Sequence, residues 1–438
     1  KSISSSIPDK HLVWRMVQDH VKSDLLFAAT EFGIFFTVDG GEKWMKLKGG
    51  MPTISIRDIT IQRRENDLVA ASFGRGFFIL DDISPLREIS KDKMEEEAFL
   101  LAGRDALWYS PRQRVNAMGA SYYTAPNPEF GATFTYYLKD NMSTLKGERK
   151  KAEKKLAKEG GDIPFPGWDA LEAERREEKP MVFLSIMDEN GQVIRRINGA
   201  TRKGLHRISW DLRYASKNAI RPSSRRGGGR FGGRGFGGWM AMPGTYTASL
   251  SKVVNGEVTQ LTAPVEFKVV PLREKGALEG IAEKDVIAFR GEMQSLQQGI
   301  SNATYMLNTS MNRANAMQTA LSRMDKQDNA LVSKVFALKS KLMDIDAMMS
   351  GNESKDEIGE RSDPTIRSRM FTGFRGLMTT YGPTPNHRKS VEIAQAELKG
   401  LMPDLENIYN KEVPALEKAL MDAGAPWIEG SKISGQEE

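Results

Sequence analysis

Apolar residues change their spacing once along this chain, and the change divides it into a strand-forming front and a helix-forming back. Up to about Leu272, short runs alternate apolar and polar positions and are broken by Gly, Pro, Asn and Asp. That is the signature of half-buried strands joined by tight turns. Beyond Leu272 the period lengthens to about 3.5. Val286, Phe289, Met293, Leu296, Ile300, Ala303 and Leu307 follow one another at steps of three and four, and Ala314, Met317, Leu321 and Met324 resume the stripe. Leu331, Val335, Leu338, Leu342, Ile345 and Met349 repeat it. The spacing predicts two long helices joined near Asp325–Asp328, a third over Lys389–Asn410 and a short fourth over Val413–Ala423. Antiparallel packing makes 273–438 a three- to four-helix bundle. Gly351–His387, with its Asp363-Pro364 and Gly382-Pro383-Thr384-Pro385 breaks, reads as a long loop wrapping that bundle. The methionines on the stripe read as adaptable core rather than as a metal or peptide surface.

Within 91–272 the alternation predicts strands at Ala106–Tyr109, Ala132–Leu138, Met181–Met187, Val193–Ile197, His206–Leu212, Gly244–Leu250 and Val265–Val270. Short strands with frequent turns fit a β-sandwich of immunoglobulin or fibronectin type. Asn190-Gly191 marks one hairpin turn, and Trp210 alternates into the core. Two insertions interrupt the domain. The excursion at 141–180 carries the Lys/Glu-rich Lys146–Glu159, a solvated helix by its three- and four-residue charge spacing. A Gly/Arg-rich loop spans 221–239. Read alone, the tract suits nucleic-acid phosphates and bases, but its place inside a sandwich argues for a flexible loop, in which Arg225, Arg226, Arg230, Phe231, Arg234 and Phe236 form a candidate contact for an acidic partner or the rest of the propeller.

The first 90 residues repeat. At an offset of 43, Asp24 meets Asp67, Leu25 Leu68, Ala28 Ala71, Gly33 Gly76, Phe35 Phe78 and Asp39 Asp82. A period of that length holding several short strands points to β-propeller blades. The first copy runs on into an Asp box, with Thr37, Asp39, Gly41 and Trp44 as its structural positions. The Asp accepts turn N–H groups and the glycines supply positive φ. Two blades cannot close a propeller, so the reading places further blades upstream or on another chain, and 1–90 becomes the final two.

TEFGIFFTVDGGEKW, IRDITIQRRENDLVAASFGRGFFILDDISPLR, GLHRISWDLRY and MPGTYTASL together resemble the C-terminal part of large bacterial sortilin-like Asp-box (BNR) propeller proteins, often labelled glycosyl-hydrolase-like. The resemblance implies an exported protein, placed in the periplasm, on the cell surface or outside the cell. It gives the Asp box no catalytic part.

Composition narrows the chemistry. There are no cysteines, which excludes disulfides, thiolate metal sites and cysteine nucleophiles. The net charge of +6 is a mild excess over 438 residues, local rather than global. No apolar run reaches the ~18 residues of a membrane span, and the first residues lack a signal-peptide layout. His11, His20, His206 and His387 have no ligand partner at helical metal-site spacing, and no nucleophile-elbow, zinc-helix or phosphate-loop motif is present. Asp81 and Asp82, as adjacent strand residues, would face opposite ways. The expectation is therefore a non-catalytic region with no cofactor, acting in protein or peptide binding or as a scaffold. The alternative is an accessory part of a glycoside hydrolase whose active site lies in upstream blades, and a weaker one is an assembly factor for membrane complexes.

Overall fold

A computed structural model describes residues 3, 6–111, 125, 127–217, 220, 238–272, 280–326 and 328–431. The chain divides into a β-rich unit, Lys1–Ala215 with Met240–Glu274, and a helical unit, Ser216–Trp239 with Lys275–Glu438.

The β-rich unit opens with two antiparallel meanders. β1 (Val13–Gln18), β2 (Leu26–Thr30), β3 (Gly33–Thr37) and β4 (Met45–Lys46) pair in sequence order, and β5 (Ile56–Gln62), β6 (Asp67–Ser72) and β7 (Phe77–Leu80) form the second sheet. Pairing shows how the repeat is built. Val13 lies opposite Thr30 and Ile56 opposite Ser72, while Phe27 lies opposite Phe36 and Val69 opposite Ile79. Equivalent residues are thus 43 apart in the outer strands and 42 apart in the middle one. This corrects the alignment of Asp24, Leu25 and Ala28 with Asp67, Leu68 and Ala71, which is one residue out. Counted between equivalent residues, Gln18 to Leu26 against Ile61 to Leu68, the connection into the middle strand is one residue shorter in the second copy, and the following turn, Thr30 to Ile34 against Ser72 to Phe77, is one longer. Since a one-residue slip turns a strand over, the paired changes keep each face of the sheet intact.

Phe27, Ala29, Ile34 and Phe36 on one face of the first sheet share a core with Ile59, Leu68 and Ala70 of the second, closed by Ile83, Leu86, Ile89, Phe99 and Leu101. The equivalent face of the second sheet carries Phe77 and Ile79, which are 74% and 59% exposed. A buried ion pair ties the two meanders together. Asp19, with no exposed side-chain surface, accepts from Arg87 Nε at 2.8 Å and Nη2 at 2.9 Å, and Nη2 also reaches Asn66 at 2.7 Å. Burial pushes the Asp19 carboxyl up. The Arg87 hydrogen bonds and charge, with the N–H groups of Lys22 and Val21, outweigh it and hold the group below the ordinary carboxylate range.

Beyond a short 3-10 turn at Ser84–Glu88, two sheets enclose a second core. The first is ordered β13 (Gly204–Trp210), β10 (Ala132–Leu138), β8 (Ala98–Ala102). The second runs β12 (Val193–Gly199), β11 (Met181–Met187), β14 (Gly244–Val254), β16 (Val265–Pro271), β9 (Ala106–Trp108), with β15 (Glu257–Gln260) hairpinned onto β14. Phe134, Tyr136 and Trp210 meet Val182, Leu184, Ile186, Leu250 and Phe267 between them. Trp210 is fully buried and donates from Nε1 to the Arg213 carbonyl at 2.8 Å. The predicted strand His206–Leu212 ends earlier, at Trp210, because Leu212 turns the backbone with φ +53. The excursion forms α1 (Leu145–Lys158) and α2 (Trp168–Arg176), joined by Arg149 of α1 donating to Glu174 of α2, while Glu153 of α1 also accepts from Arg149.

The helical unit contains α3 (Glu283–Leu321), α4 (Asn329–Ser350), α5 (Glu353–Glu357), α6 (Ile366–Gly376), α7 (Pro385–Asn407) and α8 (Val413–Asp422). Its core takes Phe289, Met293, Leu296 and Met317 from α3, Leu338 and Leu342 from α4, Val391 and Leu405 from α7 and Leu420 from α8. Two expectations are corrected. The wrapping loop Gly351–His387 contains α6, whose packing positions include Gly373; a Cβ there would lie 2.3 Å from Val391 Cγ2. A glycine on the contact face lets helices approach closely and leaves no apolar residue for a periodicity to register. The short fourth helix is a continuation of the third, since the backbone stays helical from Asn407 through a π turn at Ile408–Glu412 into α8. Among the described residues, no helix is long and apolar enough to cross a membrane.

Candidate functional site

The hairpin joining β3 to β4 holds the residues of the Asp box. Thr37 is fully buried, and its hydroxyl donates to Asp39 Oδ1 at 2.6 Å while accepting from the N–H groups of Gly41 and Asp39. Asp39 also accepts from the Lys43 N–H at 3.0 Å. Gly40 and Gly41 have φ +71 and +98, which a side chain would resist. Trp44 is buried against Ile7, Ala28 and Phe35, and donates from Nε1 to the Ile3 carbonyl at 2.6 Å. The polar atoms of Thr37 and Asp39 are turned inward to the hairpin. Burial pushes the Asp39 carboxyl up, but the Thr37 hydroxyl, the Lys43 N–H and the charge of Lys91 hold it below its usual value. Its bonds are charge-assisted, so Asp39→Ala is expected to cost about 2 kcal/mol and Asp39→Asn less. Because the folded value is depressed, that contribution is complete above the ordinary carboxylate range and fades as pH falls through it. Urea unfolding at neutral pH and at pH about 3 checks both the size and the sign.

A second cluster lies on the surface of the same two sheets, and it comes from the repeat itself. The β1–β2 register shifts between Val13 and Arg15, and the β5–β6 register shifts between Ile56 and Asp58. The residues skipped are Trp14 and Arg57, equivalent positions 43 apart. A bulge re-aims the side chain it carries. Here the two bulges bring the Arg57 guanidinium to 3.7 Å from the centre of the Trp14 ring, with Phe73 at 5.1 Å. The flanking pair Arg15 and Asp58 stands at 3.6 Å. Trp14 is oriented by a 2.8 Å bond from Nε1 to Glu31, which also accepts from Ser55. Trp14 and Phe73 remain 41% and 67% exposed. Rings thus hold Arg57, and among the described residues no carboxylate forms an ion pair with it, Glu31 being bonded to Trp14 and Asp58 paired with Arg15. Such a group binds carboxylates by paired N–H donors and stacks on planar groups. The sequence signal for it was present: continuing the offset of 43 back from Gly33 and Gly76 sets Trp14 over Arg57.

Other candidate residues separate. Asp81 and Asp82 lie past the end of β7 rather than within it, and Asp82 has φ +46. Their carbonyls accept from Arg207. His387 Nδ1 accepts from the Thr384 N–H at the start of α7, and the His206 ring bonds the Arg202 carbonyl. No group of His, Cys, Asp or Glu among the described residues is arranged to hold a metal. Arg225, Arg226, Arg230, Phe231, Arg234 and Phe236 lie outside the described residues. The end of their tract, Trp239, packs on Phe374 of α6 with ring centres 5.3 Å apart.

No family model matches the chain, and no curated protein matches it. Solved structures give only distant likenesses. One is the extracellular domain of the one component system BT4673 from B. thetaiotaomicron, with 11% identity and a TM-score of 0.14 over 60% of this chain and 25% of that one. Another is dimeric latent PorU from Porphyromonas gingivalis, with 12% identity and a TM-score of 0.20 over 62% of this chain and 17% of that one. The chain therefore spans about a quarter or less of the length of either.

Proposed function

We propose that this chain is a non-catalytic region of an exported repeat protein that binds a peptide or protein partner through the Trp14–Arg57–Phe73 cluster. Equivalent bulges of the two repeat copies aim an aromatic ring and a guanidinium with no ion-pair partner among the described residues at the same exposed point, and that observation carries the reading. A carboxylate on the partner, at a chain end or on Asp or Glu, suits Arg57, and planar or apolar neighbours suit the rings.

The reading treats the meanders as propeller blades and 91–272 as an immunoglobulin-like brace. Two features support it. The first sheet packs by the face bearing Phe27 and Phe36, and the second presents the equivalent face with Phe77 and Ile79 exposed. A further sheet of the same repeat would cover it.

Binding of the parent, Trp14→Ala and Arg57→Ala chains to a peptide array and a glycan array tests the assignment. Capture of peptides with free carboxylates, lost at least about tenfold in Arg57→Ala, supports it. Glycan capture that depends on Trp14 alone would favour the accessory role in a polysaccharide-active enzyme, since an exposed indole is also a sugar platform. Equal capture by all three chains removes the cluster from either role.

A further inference from the structure

The α1–α2 excursion projects from the β-rich unit and ends in apolar side chains that no described residue covers. Its tip is Ile163-Pro164-Phe165-Pro166-Gly167-Trp168, where Ile163, Phe165 and Trp168 are 52%, 63% and 77% exposed. The two rings meet edge to face at 5.2 Å, so they form one wedge rather than separate loose residues. Gly167 with φ +87 turns the chain into α2 and sets Trp168 at its first residue, the end nearest the tip.

α1 supplies a charged shaft beneath this wedge. Lys146, Lys150, Lys154 and Lys158 recur every four residues, and Lys151 and Lys155 lie beside them. At 3.6 residues per turn these lysines occupy one half of the helix surface. The other half carries the half-buried Arg149 and Glu153, and Arg149 is held to Glu174 of α2. Among the described residues, Lys151 pairs with Glu148 at 4.0 Å, and Lys146 and Lys150 add their charge near Glu174 of α2. On α2, Glu172 is matched by Arg175 and Arg176. Glu159, Asp162 and Asp169 also stand around the tip, so the net positive charge is modest and comes from the shaft.

We infer that this hairpin is a contact surface for an anionic lipid bilayer. Trp168, Phe165 and Ile163 enter the interface, where indole and phenyl rings with a polar surround are favoured. Lys154, Lys155 and Lys158, the turn of α1 next to the tip, meet the headgroups. Anionic headgroups attract lysines only within about a Debye length, ~8 Å at physiological salt. Lys146, Lys150 and Lys151 stand on average about 10 Å farther down the helix and contribute less. The wedge favours a bilayer over an acidic protein because three apolar side chains at a projecting point need depth, which a bilayer offers without a matching pocket.

Flotation of the full chain with phosphatidylcholine–phosphatidylglycerol vesicles, against phosphatidylcholine vesicles alone, tests the inference. The parent is expected to float with the anionic vesicles. Phe165→Ala with Trp168→Ala is expected to lower the partition coefficient at least about tenfold. Lys154→Gln, Lys155→Gln and Lys158→Gln together should lower it several-fold, more than the same change at Lys146, Lys150 and Lys151. All these side chains are exposed or lie in the turn, so the variants fold, which circular dichroism verifies. Equal flotation with neutral vesicles, or undiminished flotation of the double aromatic variant, overturns the inference. So does binding to soluble polyglutamate that displaces the chain from vesicles, which would assign the hairpin to an acidic protein.

Discussion

Arg87→Ala is expected to destabilise the β-rich unit by about 3–5 kcal/mol, the cost of leaving a buried charge without its partner. The Asp19 side chain has no solvent-accessible surface and that of Arg87 is 16% exposed, so water cannot replace the guanidinium. Asp19 sits in the β1–β2 connection, Asn66 in the β5–β6 turn and Arg87 in the segment after β7. One side chain therefore fixes three connections, and the Lys22 ammonium adds a bond to the Ile89 carbonyl at 2.9 Å. Urea unfolding followed by near-ultraviolet circular dichroism measures the loss; the helical unit, followed at 222 nm, should not change. The sign with pH follows from the depressed Asp19 value. In the parent the pair contributes fully above the ordinary carboxylate range and is lost as pH falls through the folded value. The gap between parent and variant should therefore close in acid. Asp19→Asn combined with Arg87→Met should recover part of the loss, because no charge is then left buried. A loss below about 1 kcal/mol for Arg87→Ala would show that the pair is solvated and holds nothing together.

How much of this could be read in advance depended on whether one strand face or helix stripe was left polar. Ala132–Leu138 and Met181–Met187 alternate, and their bounds coincide with the observed strands. Ala98–Ala102 does not alternate: Ala98 and Leu100 enter the sandwich core, and Phe99 and Leu101 enter the core of the meanders. A strand buried on both sides reads as an apolar run and offers no period. The α3 and α4 stripes were legible because each presents one apolar seam to its neighbours. α6 was not, because Gly373 and Gly376 occupy its closest contacts. The Trp14–Arg57 cluster was hidden differently. The offset of 43 sets Trp14 over Arg57 in the sequence, but that both are bulged residues is visible only in the strand pairing. A bulge leaves no mark in hydrophobicity, and only the register of both copies reveals that equivalent residues meet.

Gly131→Ala is expected to disrupt the sandwich more than its chemistry suggests. Gly131 precedes β10 with φ +118, and a Cβ there would lie 1.8 Å from the Trp210 carbonyl oxygen and 2.8 Å from its carbon. These are backbone atoms, so no rotamer change relieves the clash. Ala132 opposite Trp210 is the first rung of the β10–β13 ladder, and Trp210 sits fully buried against Tyr246 and Phe267. Moving the carbonyl therefore moves the largest side chain of that core. Positive φ contributes about 1–3 kcal/mol and the displaced packing a further 1–3. Gly191→Ala provides the comparison, because Gly191 has φ +74 with nothing within 4 Å of the added Cβ. It should show only the conformational cost, about 1 kcal/mol. The difference between the two variants, read from urea midpoints and from the near-ultraviolet signal of the buried indole, measures the steric clash together with the extra conformational cost of φ +118 over +74. Equal losses at the two positions would mean that the turn before β10 yields freely and that Trp210 is not held by its backbone.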